Sequence, residues 1–207
     1  AASHVIGRAW RRETRLEDQI GNLNEYVEDA NLSAQDLPDP RRYVLDLSGM
    51  PVGDLPTLPG SFRHISVLIM DDMALNEVPE GFLECFPDLR WLSLENNRLT
   101  RLPQALTQMK GLLKLNLAHN DIALTPEAVS TLAGLTDLRE LNLGNNPLGQ
   151  EVDVSRMQRL RHINMRHTQS THWPIGVHAL NEIAYLDLRD NNITQIPDAV
   201  FNSEERL

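Results

Sequence analysis

The sequence predicts an α/β solenoid, a right-handed horseshoe with a parallel sheet along its concave face. The main observation is an internal repeat, in which one pattern of apolar residues recurs seven times and is clearest in segment 89–103. The second observation is composition: 41% of residues are hydrophobic but only 5% are aromatic, which indicates a core of aligned leucines and isoleucines. The copies begin 22 to 26 residues apart, at Arg42, Ile65, Leu89, Leu112, Leu138, Leu160 and Ile183.

Intervals of this length are typical of leucine-rich repeats. We therefore interpret residues 42–207 as seven stacked repeats in which each unit contacts only its neighbours. Leu207 stands where the first residue of an eighth repeat would fall, ten residues after Pro197, so we expect this chain to be a piece of a longer protein.

Residues 1–41 have a different pattern and are predicted to form an N-terminal helical cap. Thr14 and Glu17 fit a helix-capping box, and apolar residues follow at helical spacing. A solenoid leaves the core of its first repeat open, and an amphipathic helix would cover it. The alternative is that this helix docks another domain of the parent protein.

Each repeat is predicted to contain a short strand at its fourth to sixth positions, with the outer two side chains in the core. An asparagine at the ninth position is expected to hold the turn that follows, as at Asn97, Asn120, Asn146 and Asn191. The fourth repeat predicts a true α-helix after Thr125-Pro126, and segment 103–106 predicts a shorter helical turn. The fifth repeat, without that proline, is predicted to be more extended.

Charge and composition exclude several classes of function. The formal net charge of −10 and the absence of a block of lysine or arginine argue against nucleic acid as a partner. No apolar run approaches the length of a membrane helix. A single cysteine, Cys85, forbids an internal disulfide and favours a reducing compartment.

The sequence gives little support for a catalytic, metal-binding or phosphate-binding site within the chain. Cys85 lies in the largely apolar segment 82–87 (FLECFP), as a small buried hydrophobe would. The seven histidines do not follow the spacing of a metal site, and no glycine-rich phosphate loop is present. We therefore expect no cofactor, no metal and no catalytic residue.

The concave face carries the candidate binding residues. Its third-position column includes Trp91 and Tyr185, which are residue types enriched at binding hot spots. Beside them, the N-terminal half is acidic and the C-terminal half more basic, a gradient that would orient a protein partner. A solvated polar face is the alternative, and the consecutive Asn116, Asn142 and Asn164 are expected to form a hydrogen-bonded ladder. The proposed protein-binding residues are Trp91, Tyr185, His162, Lys114, Asp71, Asp72, Glu95, Arg166 and Arg189.

Three segments resemble a particular group of bacterial leucine-rich repeats. They are 92–103 (LSLENNRLTRLP), 186–197 (LDLRDNNITQIP) and the opening segment 43–50 (YVLDLSGM) behind an Arg- and Trp-containing helix. Together they resemble the repeat region of large proteobacterial toxins and effectors that carry a C-terminal novel-type E3 ubiquitin ligase domain.

The resemblance implies a substrate-recognition arm with no catalysis of its own. In that family, catalysis belongs to a Cys-x-Asp motif in a separate helical domain, whereas here Cys85 is followed by Phe86 and Pro87 before Asp88. It also implies either the bacterial cytoplasm or, for a secreted effector, the host cytoplasm. The alternative is a stand-alone scaffold or adaptor unrelated to ubiquitin. In both cases we expect a monomer that binds a protein on its concave face.

Overall fold

A computed structural model describes residues 14–15, 43–50, 55, 58 and 60–201. Its central element is an eight-stranded sheet in sequential order, in which only β1 is antiparallel to its neighbour. The seven parallel strands come one from each repeat, and the fold is the predicted leucine-rich repeat solenoid. The strands are β1 (Thr14–Arg15), β2 (Tyr43–Asp46), β3 (Ile65–Ile69), β4 (Trp91–Ser93), β5 (Lys114–Asn116), β6 (Glu140–Asn142), β7 (His162–Asn164) and β8 (Tyr185–Asp187).

From β4 to β8 the strands begin one residue earlier than predicted, at the third repeat position, whereas β2 begins at the second position and β3 at the first. Pairing starts early because the carbonyl oxygen of Arg90 accepts hydrogen bonds from both Leu113 N and Lys114 N, at 2.7 and 3.0 Å. The same double acceptance recurs at Leu113, Arg139 and Arg161 in the following repeats. This register places third-position residues directly beside one another along the sheet.

The outer side of each repeat uses short helical segments. The α-helix α1 (Pro126–Ala133) begins as predicted: Thr125 Oγ1 accepts a hydrogen bond from Ala128 N, and Pro126 occupies the first turn. Segment 103–106 also forms its predicted turn, within the 3₁₀ helix Gln104–Gln108. Two further 3₁₀ helices (Leu83–Cys85 and Val177–Ala179) and α2 (Asp198–Phe201) complete the helical segments of the described chain.

The core consists of repeat-equivalent apolar side chains stacked along the solenoid. Leu92, Leu94, Leu115 and Leu117 are completely buried, as the strand pattern predicts. In the fifth repeat, Val152 and Val154 are buried and Asp153 forms an isolated parallel bridge with Ile175, so this segment is extended as expected. Leu186 and Leu188 are only half-buried, because β8 lies at the edge of the described sheet.

The ninth-position asparagines act as predicted. Asn97 Oδ1 accepts hydrogen bonds from Met73 N and Leu75 N of the preceding repeat, while its Nδ2 donates to Met70 O and Leu94 O. The equivalent amides of Asn120, Asn146 and Asn191 bond in the same way. Each of these amides therefore joins two adjacent repeats.

The predicted N-terminal helix falls in segment 1–41, most of which lies outside the described residues. Thr14 and Arg15, where the helix was predicted to begin, are instead extended and pair antiparallel with Val44 and Tyr43. At these two residues, backbone hydrogen bonding to the first repeat is formed in place of a helical turn.

Candidate functional site

The third-position column of the concave face forms one continuous row of side-chain contacts. Its members pair strand to strand, from Val67 through Trp91, Lys114, Glu140 and His162 to Tyr185. The structure therefore brings together four of the predicted binding residues, Trp91, Lys114, His162 and Tyr185. The residue that links them is Glu140, which was not among the predicted binding residues.

Glu140 holds the centre of this row by contacting a neighbour on each side. Its Oε2 lies 3.3 Å from Lys114 Nζ, and its Oε1 lies 3.1 Å from His162 Nδ1. Lys114 Nζ also lies 4.3 Å from the centroid of the Trp91 ring, a cation–π arrangement. Burial lowers the pKa of Lys114, and the charge of Glu140 opposes this effect.

The two ends of the row differ in exposure. Trp91 is half-buried and packs on a small apolar cluster of Val44, Val67 and Ile69. Tyr185 is 48% exposed, and its ring meets the His162 ring edge to face at a centroid distance of 6.1 Å. Its hydroxyl donates a hydrogen bond to Asp187 Oδ2 at 3.2 Å. Tyr185 is therefore the more accessible aromatic ring of this surface.

The fifth-position asparagines do not form the predicted ladder. Asn142 Oδ1 accepts a hydrogen bond from Gly144 N, and Asn164 Oδ1 accepts one from Arg166 N. Asn116 Oδ1 accepts from Ala118 N in the same way. Each amide oxygen thus closes a local turn two residues ahead, because the bend after the strand leaves that N–H without a ladder partner.

The eighth-position column is determined by backbone conformation. All its non-glycine members have φ between 53° and 59°, in the left-handed region that asparagine, aspartate and histidine tolerate best. The residue types that suggested a charge gradient in this column are therefore also the types that tolerate a left-handed backbone. This applies to Asp72, one of the predicted binding residues. The column consists of Gly49, Asp72, Asn96, His119, Asn145, His167 and Asp190.

The predicted basic residues are each paired with a carboxylate. Arg166 Nε lies 2.6 Å from Asp190 Oδ2, and Arg189 donates two hydrogen bonds to Asp187, at 2.9 and 2.7 Å. Because Arg189 and the Tyr185 hydroxyl donate to Asp187, its pKa falls well below the usual range of an aspartate, despite its burial. The C-terminal half of the face is therefore close to electrically balanced.

The predicted acidic residues lie close together at the other end. Asp71 Oδ1 accepts hydrogen bonds from Ser93 Oγ at 2.6 Å and from Glu95 N at 2.8 Å. Burial raises the pKa of Asp71, and the nearby charges of Glu95 and Asp72 raise it further. Asp71, Asp72 and Glu95 thus form one acidic group on the N-terminal half of the face.

Cys85 has the environment of a poor nucleophile. Its Sγ lies 3.2 Å from Gly81 O, and the side chain is half-buried. Burial, together with the charge of Glu84, raises its thiol pKa, which reduces the thiolate fraction at neutral pH. Among the described residues, no group of three or more His, Cys, Asp or Glu side chains is placed to hold a metal ion. No helix in the same part of the chain is long and apolar enough to cross a membrane.

Comparisons with known proteins agree with this architecture. Leucine-rich repeat family models match residues 63–122 and 182–203. The chain is 28% identical over 149 residues to the mouse protein flightless-1 homolog, and 30% identical over 168 residues to an adenylate cyclase of Podospora anserina. These matches cover 60% and 79% of this chain but only 12% and 8% of those proteins.

A solved structure of the Toll–Spätzle complex from Drosophila has the same fold. It aligns with a TM-score of 0.52 at 24% identity, covering 70% of this chain and 22% of that chain. The protein is therefore a leucine-rich repeat module. Solenoids of this class use their extended concave surface for binding other proteins.

Proposed function

We propose that this chain is a non-catalytic protein-recognition module that binds its partner on the concave face around Tyr185, His162, Lys114 and Trp91. The observation that supports the proposal is the contact row centred on Glu140, which fixes two aromatic rings before a partner arrives. Rings held in place lose little conformational entropy on binding, which is why such residues dominate interfaces.

The experiment uses site-specific photo-crosslinking on the intact chain. A photoreactive phenylalanine at position 185 should capture a discrete protein from lysate. The same group at Ile175, which is exposed outside the concave sheet, should not. The captured protein is then purified and titrated against wild type and Tyr185→Ala, and we expect at least about a tenfold loss of affinity. Equal capture at both positions, or unchanged affinity, would contradict a concave site.

Trp91→Ala is less informative than Tyr185→Ala. Because the Trp91 ring packs on Val67 and Ile69, its removal is expected to reduce stability as well as binding. Tyr185 is half-exposed, so its truncation should leave the melting temperature within a few degrees of wild type.

A more specific role is the recruitment of substrates to a bacterial effector-type E3 ubiquitin ligase. This proposal is supported only by the resemblance of segments 43–50, 92–103 and 186–197 to that family. Sequence downstream of Leu207 tests it: a helical domain containing Cys-x-Asp supports the ligase. Without that motif, the chain is better assigned as a scaffold or adaptor.

The single cysteine supports a further proposal, that the chain works in a reducing compartment, either the bacterial cytoplasm or a host cytoplasm reached by secretion. Fractionation of the source cells, with detection of the native protein, tests this directly. Recovery from an oxidising extracellular fraction alone would contradict it.

A further inference from the structure

We propose that the segment captured on the concave face is extended and basic, with its backbone over Asn142 and Asn164 and its cationic side chains toward Asp71, Asp72 and Glu95. This inference rests on the proposed function, since it names the chemistry of the partner for the same surface. Three features of the concave face, as far as the structure describes it, support the inference: a trough, free amide donors on Asn142 and Asn164, and unpaired acidic side chains.

The trough is a depression over strands β5 to β8 of the concave sheet, with a volume of about 550 Å³. It is lined by third-position and fifth-position side chains, namely Lys114, Glu140, His162 and Tyr185 and the asparagines Asn116, Asn142 and Asn164. A main chain can therefore approach the sheet closely at this point.

The floor of the trough presents two free hydrogen-bond donors. In Asn142 and Asn164 the amide oxygen is engaged by a backbone N–H, at 3.1 and 2.9 Å, while Nδ2 contacts no acceptor in the described part of the chain. Asn116 differs, because its Nδ2 donates to Glu95 Oε2. Adjacent strands lie about 4.8 Å apart, so the two donors form a short row across the sheet. Such a row suits the carbonyl oxygens of an extended polypeptide.

Charge pairing on the face is asymmetric. Its three lysine and arginine residues each have a carboxylate partner: Lys114 with Glu140, Arg166 with Asp190 and Arg189 with Asp187. These cations therefore have little capacity to attract an acidic ligand. The C-terminal half of the face therefore has little net charge, and it contributes to binding through the ring of Tyr185.

In the described part of the chain, the three carboxylates of the acidic group accept hydrogen bonds from neutral side chains and are not paired with cations. Ser93 donates to Asp71, Asn96 to Asp72 and Asn116 to Glu95, and none of these three carboxylates has a cationic partner within the described residues. The charges that act on Asp71 are those of Glu95 and Asp72, which repel it. A lysine or arginine from a partner would relieve this repulsion, so complementarity favours a basic segment.

The distances are compatible with a single short segment. Glu95 follows β4 and Asn142 lies in β6, two strand spacings or about 10 Å away. Three or four extended residues cover that length. A cationic side chain on such a segment can therefore reach Glu95 while the main chain remains over Asn142.

The test uses defined probes on the intact chain. Twelve-residue peptides of Lys-Pro-Leu repeats and of matched Glu-Pro-Leu repeats both stay extended and differ in charge. We expect the lysine peptide to bind at least about tenfold more tightly at low salt, with loss of affinity as salt rises. In NMR spectra, its binding should shift the side-chain amide signals of Asn142 and Asn164. Tighter binding of the glutamate peptide, or unshifted asparagine amides, would overturn the proposal.

A charge-matched pair of variants separates specific binding from general attraction to an acidic protein. Asp72→Asn with Glu95→Gln removes two concave charges, and asparagine tolerates the left-handed backbone at position 72. Glu80→Gln with Glu84→Gln removes two exposed charges from the helical side. The first pair should weaken lysine-peptide binding about three- to tenfold and the control pair less than twofold. Equal weakening by both pairs would refute the assigned site.

Failure of this inference is distinguishable from failure of the proposed function. If the protein captured at position 185 binds the Asp72→Asn/Glu95→Gln variant as tightly as wild type, the basic segment is refuted while concave recognition stands. If nothing is captured at position 185, the proposed function itself fails.

Discussion

The side-chain ammonium of Lys114 lies 4.3 Å from the centroid of the Trp91 ring. The same ammonium lies 3.3 Å from Glu140, and both charged side chains are less than a fifth exposed. One lysine therefore joins an aromatic anchor to the carboxylate that orders the rest of the row. Partial burial makes this ion pair stronger than an ordinary surface pair.

The pair of Lys114 and Glu140 should show measurable energetic coupling. In a double-mutant cycle with Lys114→Met and Glu140→Gln, we expect a coupling free energy of about 1 kcal/mol from urea unfolding. The matched control is Arg101 and Glu77, which lie 3.5 Å apart but are 78% and 68% exposed. That pair should couple by less than about 0.3 kcal/mol. Equal coupling in the two cycles would show that burial does not strengthen the concave pair.

Among the glycines of the described residues, Gly176 should be the least tolerant of a side chain. It has φ of +78°, and an added Cβ would lie 2.4 Å from Ser155 Cβ and 2.7 Å from Ser155 Cα. Gly176→Ala must therefore distort backbone as well as adopt a left-handed conformation, and we expect a loss of about 3 kcal/mol in the free energy of unfolding.

Gly149 provides the control for that substitution. It has φ of +70°, but the nearest atom to an added Cβ is 3.9 Å away. Gly149→Ala should therefore cost only the conformational penalty of about 1 kcal/mol. Similar losses for the two variants in urea unfolding would show that the contact with Ser155 relaxes without cost.

Asn146 should contribute strongly to the stability of the stack. Its side chain is 1% exposed, accepts from Ile122 N and donates to Leu117 O and Leu143 O. Asn146→Ala leaves these buried groups unpaired and should cost about 3 kcal/mol. Measured by urea unfolding, the neighbouring Asn145→Gly should be nearly neutral, since Asn145 has a left-handed φ of 55° that glycine adopts freely.

A threonine should partly replace the ninth-position asparagine. In the sixth repeat, Thr168 occupies this position completely buried, and its Oγ1 donates to Met165 O at 2.9 Å. Asn146→Thr should therefore destabilise less than Asn146→Ala. The reverse order would show that the retained hydroxyl bond has no value at this position.

Ionisation of Asp71 should destabilise the fold at neutral pH. Its pKa is raised on folding, first by burial, so the folded state binds the proton more tightly than the unfolded chain does. The favourable contribution is therefore present below the unfolded pKa of about 4 and is lost as pH rises through the folded pKa. Asp71→Asn should raise the melting temperature at pH 7, and this gain should shrink toward pH 3. A lower melting temperature at pH 7 would contradict the assignment.

Asp187 should show the opposite sign. Hydrogen bonds from Arg189 lower its pKa on folding, so its contribution is present above the unfolded pKa of about 4 and is lost as pH falls toward the folded value. Asp187→Asn should therefore lower the melting temperature at pH 7, and by a smaller amount at pH 2. Equal effects at both pH values would indicate a packing defect rather than a lost charge interaction.

Much of the fold was predictable because solenoid contacts are local in the repeat. The period and the Leu92/Leu94 alternation specify the strand, and the ninth-position asparagines specify the turn. The strand start was misplaced by one residue because the carbonyl of Arg90 accepts two N–H groups, which no side-chain pattern records. The extended pairing of Thr14 and Arg15 was missed because the capping box at Thr14 and the helical spacing in segment 16–27 both indicate a helix, whereas the pairing depends on backbone contacts with the first repeat.

The sequence predicted which repeat positions form the candidate site, but it did not predict which of their side chains contact each other. Placing Trp91, Lys114, His162 and Tyr185 on one line followed from repeat register. Adjacent strands lie about 4.8 Å apart, and the Glu140 side chain is long enough to contact both Lys114 and His162 across that spacing. The Asn142 amide oxygen instead accepts a hydrogen bond from Gly144 N and does not bond to Asn164. The repeat register shows which side chains lie next to each other on the sheet. Their rotamers and the nearby backbone N–H groups then determine which hydrogen bonds form.

The sequence by itself determined the solenoid, its seven repeats, the buried leucine columns and the surface free to recognise a partner. These follow from periodicity, since a residue's place in the repeat fixes which way its side chain points. Tertiary structure alone decided which charges are neutralised, that the eighth-position column is left-handed and that third- and fifth-position side chains line a trough. The physical reason is that pairing, desolvation and free volume depend on several repeats at once, whereas the repeat pattern describes only one.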